Sequence, residues 1–197
     1  MNEVDPDPFP DVGMAAKPAL VILIALAICY AGLFALLGVH IHETLWSLIA
    51  SVVFASGLLI LSYIDLRSGL LLDVLTLPLV ILGVGYAAWR GDLLLSVAGA
   101  VIGYAMIAGL AAYWRASRGY EGIGLGDAKL LAACGAWIGV AGLPILLLIA
   151  SVLGIVAALT VAKNTHSPSE RLAIPFGPFL AIGGWASWCG VETLIPI

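Results

Sequence analysis

Between Leu130 and Ala162 the chain runs 33 residues without a charged side chain. A helix crosses the apolar core of a bilayer in about 20 residues, so this stretch is too apolar to remain in water and too long for one crossing. Pro18–Leu37, Thr44–Ile64 and Leu93–Trp114 are also uncharged and long enough to span. Gly69–Trp89 qualifies with one charge, Asp73, in its first turn and Pro78 as a kink, and a last span runs from about Ile174 to Val191. Hydrophobic residues make up 62% of the sequence and charged ones 10%, where a soluble domain carries roughly 25% charged residues. The chain reads as a polytopic membrane protein, which excludes most cytosolic enzymes.

The 33-residue run must be divided. Gly142-Leu143-Pro144 is the natural break, because proline is tolerated in the first turn of a helix and not in its middle. Pro144–Ala162 is then a full span, but Leu130–Ala141 is short. That helix can cross only if it begins several residues earlier, between Gly124 and Asp127, and length alone draws Asp127 to the membrane boundary. The expectation is an all-α bundle of about seven transmembrane helices, preceded by an acidic tail over 1–17 and forming one membrane domain over 18–197. Gly99/Gly103 and Gly135/Gly139 are GxxxG pairs that would let helices approach closely.

Lys17, Arg67, Arg115, Arg118, Lys129, Lys163 and Arg171 fall on one side of the membrane and only Arg90 on the other. The positive-inside rule then puts the amino terminus in the cytoplasm and the carboxyl terminus outside. A net charge of −4 gives no electrostatic grip on nucleic acid. Cys29, Cys134 and Cys189 lie in apolar runs and form no CxxC pair, so they read as buried, inert thiols rather than a disulfide framework or a zinc site. The first apolar run is too long for a cleavable signal and reads as a retained span.

Two acidic residues sit where charge is costly. Asp65 closes the second span and Asp127 opens the fifth, both at the cytoplasmic face in this topology. Ionisable groups at membrane depth are functional candidates by default. Two carboxyls brought together at a low-dielectric boundary would share one proton, so that one activates a water while the other polarises a carbonyl. Gly122, Gly124 and Gly126 place three glycines in five positions before Asp127, permitting unusual backbone angles or the close approach of a strand or helix. A dinucleotide reading of these glycines fails because no strand precedes them. Residue spacing alone leaves other roles open for the aspartates: helix capping and interfacial solvation, or proton relay in a transporter.

Gly124-Leu125-Gly126-Asp127, with the following Ala-Lys-Leu-Leu-Ala-Ala-Cys-Gly, closely resembles the GxGD signature of type IV prepilin peptidases. Ile64-Asp65 through Leu72-Asp73 to Pro78 resembles the block holding that family's first catalytic aspartate, and Ile174-Pro175-Phe176-Gly177-Pro178-Phe179 through Ile182 resembles its carboxy-terminal block. The three matches occur in family order and span most of the chain. The resemblance implies an aspartic endopeptidase of the bacterial inner membrane with Asp65 and Asp127 as its catalytic pair. Gly124, Gly126, Asp73 and Lys129 would support the motif, and no metal or other cofactor is implied. The substrates would be prepilins or pseudopilins, cut after a glycine that ends a basic leader, at the cytoplasmic face.

Two departures bear on that inference. Leu72 precedes Asp73 where the family usually has proline, so Asp73 is read as supporting rather than catalytic. The chain also lacks the cysteine tetrad of the cytoplasmic insert that the family associates with methylating the new amino terminus, which implies peptidase activity without methyltransferase activity.

His40-x-His42-Glu43, between the first two spans, is short of the three or four converging ligands that a zinc site needs. His166 reads as solvated. Lys129 reads as snorkelling to the interface, with a role beside Asp127 as its alternative. Trp46, Trp89, Trp114, Trp185 and Trp188 read as belt residues near helix ends. The loop from Arg115 to Leu125 leads into Asp127 and is a candidate receiver of the leader, although its arginines share the leader's sign. Glu121 and the acidic head (Glu3, Asp5, Asp7, Asp11) complement a basic leader better. The competing functions are a proton-coupled transporter using the same carboxylates and a non-catalytic assembly factor for a pilus or secretion machine. The sequence leaves the oligomeric state open.

Overall fold

The computed structural model describes residues 27–28, 31–32, 45–69, 71–118, 124–164 and 175–194. The acidic tail, nearly all of the expected first span, His40–Glu43, Gly122 and the loop holding His166 lie outside the described residues. Within them are five helices and no strand: α1 (Leu45–Ser68), α2 (Asp73–Arg90), α3 (Leu93–Arg118), α4 (Leu125–Asn164) and α5 (Gly177–Leu194). The first four are long and apolar enough to cross a membrane. Their outward faces are mostly apolar, with Val74 and Ile81 on α2, Leu94 and Val101 on α3, and Leu148, Val152 and Leu159 on α4. Surface of that kind suits lipid and not water. The molecule is a multi-pass, all-helical membrane protein.

The expected span boundaries fall close to these helices, with one correction. The break in the long apolar run is at Gly139 (φ 66°, ψ −176°), not at Gly142-Leu143-Pro144, and α4 doubles back there. The contacts along it require the reversal. Asp65 at the end of α1 meets Gly177 at the start of α5, and Ser51 bonds Trp188, so these helices are antiparallel. Lys129 pairs with Asp73 at the aspartate end of the bundle, while Trp137 stacks on Phe54 at the opposite, aromatic end (centroids 4.9 Å apart). Beyond the break, the Gly142 carbonyl accepts a 2.9 Å bond from Ser187 Oγ at the aromatic end. Gly154 then lies against Phe176, back at the aspartate end. A straight helix cannot begin and finish beside the same end of an 18-residue neighbour. Reversal needs a positive φ, which glycine adopts without a Cβ penalty. Pro144 only fixes φ near −65° and therefore sits harmlessly early in the returning half.

Near the break, Ser96 Oγ donates to the Ala136 carbonyl at 2.6 Å and ties α3 to α4. The half of α4 before the break is flanked closely by α3. Gly99 and Gly135 put backbone on backbone, with no room for a Cβ on either, and Gly103 faces the Leu131 carbonyl in the same way. Gly139 shares in this contact as well as making the turn, since a Cβ on Gly99 would stand 2.8 Å from its carbonyl carbon.

The core is aromatic at the end opposite the aspartates. Phe54, Trp137, Trp185 and Trp188 are buried against one another, with Tyr86 packed on Trp137 and Trp188. Two indole N–H groups in the cluster are satisfied, Trp137 by the Leu79 carbonyl (2.8 Å) and Trp188 by Ser51 Oγ (3.1 Å). Trp185 and Trp188 are thus core residues, which corrects their reading as belt residues. Trp46 and Trp89 are exposed, in keeping with that role.

Candidate active site

The aspartate end assembles from four helix termini. Asp65 lies in the last turn of α1 and is 5% exposed. Its helix ends at Gly69, whose left-handed φ of 61° closes the turn with a 2.8 Å bond to the Asp65 carbonyl oxygen. Asp127 lies in the first turn of α4 and is half-buried. A carboxylate in a first turn faces the positive end of the helix dipole. The two side chains come from distant parts of the sequence and lie within electrostatic reach of each other. Burial differs between them. Asp65 is enclosed by protein, and Asp127 keeps a face open to its surroundings.

The enclosure of Asp65 is made by α5. The Gly177 backbone N–H donates to Asp65 Oδ2 at 3.0 Å, and Gly177 and Pro178 are both buried. Sequence reasoning placed Phe176-Gly177-Pro178 in a family block but gave Gly177 no part in the site. The available signal was a glycine directly before a proline at a helix start, where amide donors point out of the helix.

Asp73 is the first residue of α2, and its carboxylate forms an ion pair with Lys129 Nζ. Lys129 is therefore paired with Asp73 and not with Asp127. It ties the starts of α2 and α4 together immediately beside the two aspartates. Gly126 is packed, since a Cβ there would lie 3.0 Å from Leu71 Cβ, whereas Gly124 is exposed and has nothing against it nearer than the Gly126 amide nitrogen at 4.0 Å. Neither has a positive φ. Of these two glycines, Gly126 acts by close approach and neither acts by a special backbone angle.

Two carboxyls at one end of a helical bundle, one buried and one half-buried, can divide acid and base roles between them. A sequence profile of the type IV leader peptidase family matches residues 52–159, which include both aspartates. The chain is similar to a protein of Aeromonas salmonicida named prepilin leader peptidase/N-methyltransferase, 42% identical over 162 residues that cover 78% of this chain and 54% of that protein. Proteins of the same name from Dichelobacter nodosus (41% identical, 80% of this chain and 54% of the relative) and Neisseria gonorrhoeae (38%, 71% and 48%) are similar as well. The chain spans about half the length of the curated relatives it matches. No solved structure matches it. With the profile covering more than half of the sequence and relatives near 40% identity over most of it, the chain belongs to the type IV leader peptidase family.

Proposed function

We propose that this chain is an aspartic endopeptidase of the bacterial inner membrane that removes the basic leader of prepilins or pseudopilins. It cuts after the leader glycine at the cytoplasmic face. Asp65 and Asp127 are its catalytic pair. The observation that carries this reading is that the two aspartates, remote in sequence, are brought to one end of an apolar bundle, where Leu71 just beyond α1 lies against Gly126 beside Asp127. Membership of a leader peptidase family supports it, as do relatives named for both leader cleavage and N-methylation. The methyltransferase half is not carried over. This sequence has three cysteines, all within apolar runs, and no tetrad.

With one proton on the pair, the ionised carboxylate takes a proton from water as the water oxygen attacks the scissile carbonyl carbon, and the protonated partner donates to the carbonyl oxygen. The tetrahedral diol then collapses. One hydroxyl proton returns to a carboxylate, the C–N bond breaks, and the leaving nitrogen takes a proton from the other aspartate. The cycle closes with one proton on the pair. The seven-span count and the cytoplasmic amino terminus belong to the same proposal; the count rests on the lengths of the apolar runs and the orientation on the Lys/Arg asymmetry.

Purified protein in detergent, mixed with a prepilin, provides the test. Asp65→Asn and Asp127→Asn should each abolish leader cleavage while leaving the fold intact, because asparagine keeps the size and the acceptor of the carboxylate. Cleavage by either variant at the parent rate overturns the proposal.

A further inference from the structure

The start of α5 leaves a single amide for Asp65. The Phe176 carbonyl accepts from the N–H groups of Phe179 (3.1 Å) and Leu180 (3.2 Å), and Pro178 has no N–H. In this first turn only the Gly177 amide remains to donate outside the helix, and it points at Asp65 Oδ2, 3.0 Å away. Glycine is needed here for space and not for conformation, since its φ is not in the left-handed region. A Cβ at position 177 would stand 2.6 Å from Asp65 Oδ2, 2.9 Å from Cγ and 3.2 Å from Cβ. The whole aspartate side chain lies across the Gly177 Cα. A methyl group there would have to turn the carboxyl aside about χ1 or push α5 away from α1.

We propose that Gly177 is a positioning residue for Asp65. Its amide occupies Oδ2, and its bare Cα is the floor on which the carboxyl rests, so that Oδ1 is the oxygen presented to Asp127 and to the attacking water. The Gly177 N–H holds Oδ2 as an acceptor, which favours Oδ1 as the site of any proton that Asp65 holds. The inference rests on the endopeptidase reading, and it makes α5 part of the active site rather than a packing helix.

Full-length protein labelled with 15N-glycine in detergent micelles tests the contact and the chemistry separately. The Gly177 amide resonance, assigned by its loss in Gly177→Ala, should move when Asp65 becomes Ala and stay near its parent position when Asp65 becomes Asn. With a prepilin substrate, Gly177→Ala should lower kcat about 10- to 100-fold, as angstrom-scale displacement of a reacting group does, with KM changed less than about threefold. It should also displace at least one limb of the pH–rate profile. Gly184→Ala is the control: its Cβ would meet Cys134 Sγ at 2.8 Å, in the same helix but away from Asp65. It should reduce thermal stability without moving either limb. An amide indifferent to Asp65→Ala overturns the inference alone, as does a Gly177→Ala enzyme with parent kcat and pH limbs. Cleavage that survives Asp65→Ala overturns the endopeptidase reading, and this inference with it.

Discussion

Lys129 and Asp73, 56 residues apart, form an ion pair that ties the first turn of α4 to the first residue of α2, next to both aspartates of the candidate site. The two side chains are 35% and 54% exposed. A pair so open to solvent contributes about 0–1 kcal/mol to stability. Its effect lies in register: it holds the helix that carries Asp127 against the connection leaving Asp65.

Lys129→Asp or Asp73→Lys alone should therefore lower kcat for leader cleavage by about tenfold while the melting temperature barely changes. The double reversal restores the pair and should recover most of the rate. A double variant no better than the singles would show that the pair does not set the register.

The pH profile follows from sharing one proton between the two carboxyls. Below the acid limb both are protonated and no base remains to activate water. Above the alkaline limb both are ionised and no acid remains to polarise the carbonyl. Activity should fall on both sides of a single optimum, with apparent constants that belong to the pair. A flat kcat/KM from acid to alkaline pH would contradict a shared proton.

Packing along the α3–α4 seam makes a different prediction, because lipid is as apolar as leucine and association within a bilayer depends on close fit. Gly99→Leu and Gly135→Leu drive a side chain into backbone, which cannot yield. Each should cost about 1–3 kcal/mol or more. Gly109→Leu, on the same helix where a Cβ meets nothing within 4 Å, should be close to neutral. Thermal unfolding in matched detergent checks all three.

At the turn itself, Gly139→Ala must hold an L-residue at φ 66° and ψ −176° and should cost about 1–3 kcal/mol. Ser96→Ala uncovers the Ala136 carbonyl at the same break, for roughly 1 kcal/mol. Both losses should appear as lowered melting temperatures. Ser117→Ala, which removes only an exposed local bond, should leave the melting temperature unchanged.

Membrane residence, helix limits to within a few residues, and the placing of Asp127 in a first turn were all legible in the sequence. Each depends on local quantities: the length of an apolar run, the presence of a charge, the 1.5 Å rise of a helix. Recognition of the two aspartates came the same way, because an ionisable group among apolar neighbours is conspicuous wherever the chain goes. The turn at Gly139 was not legible. Gly142-Leu143-Pro144 carries the stronger local signal, and the choice between them is made by α5 and α3, which must pack against the two halves of α4 at once. The partner of Lys129 was hidden for a related reason, since snorkelling is settled by a side chain's own length and an ion pair by where another helix begins. Gly177 could be seen as a helix-start glycine. That its one free amide meets Asp65 is decided only when two antiparallel helices, joined through all the others, bring residues 65 and 177 within 3.0 Å.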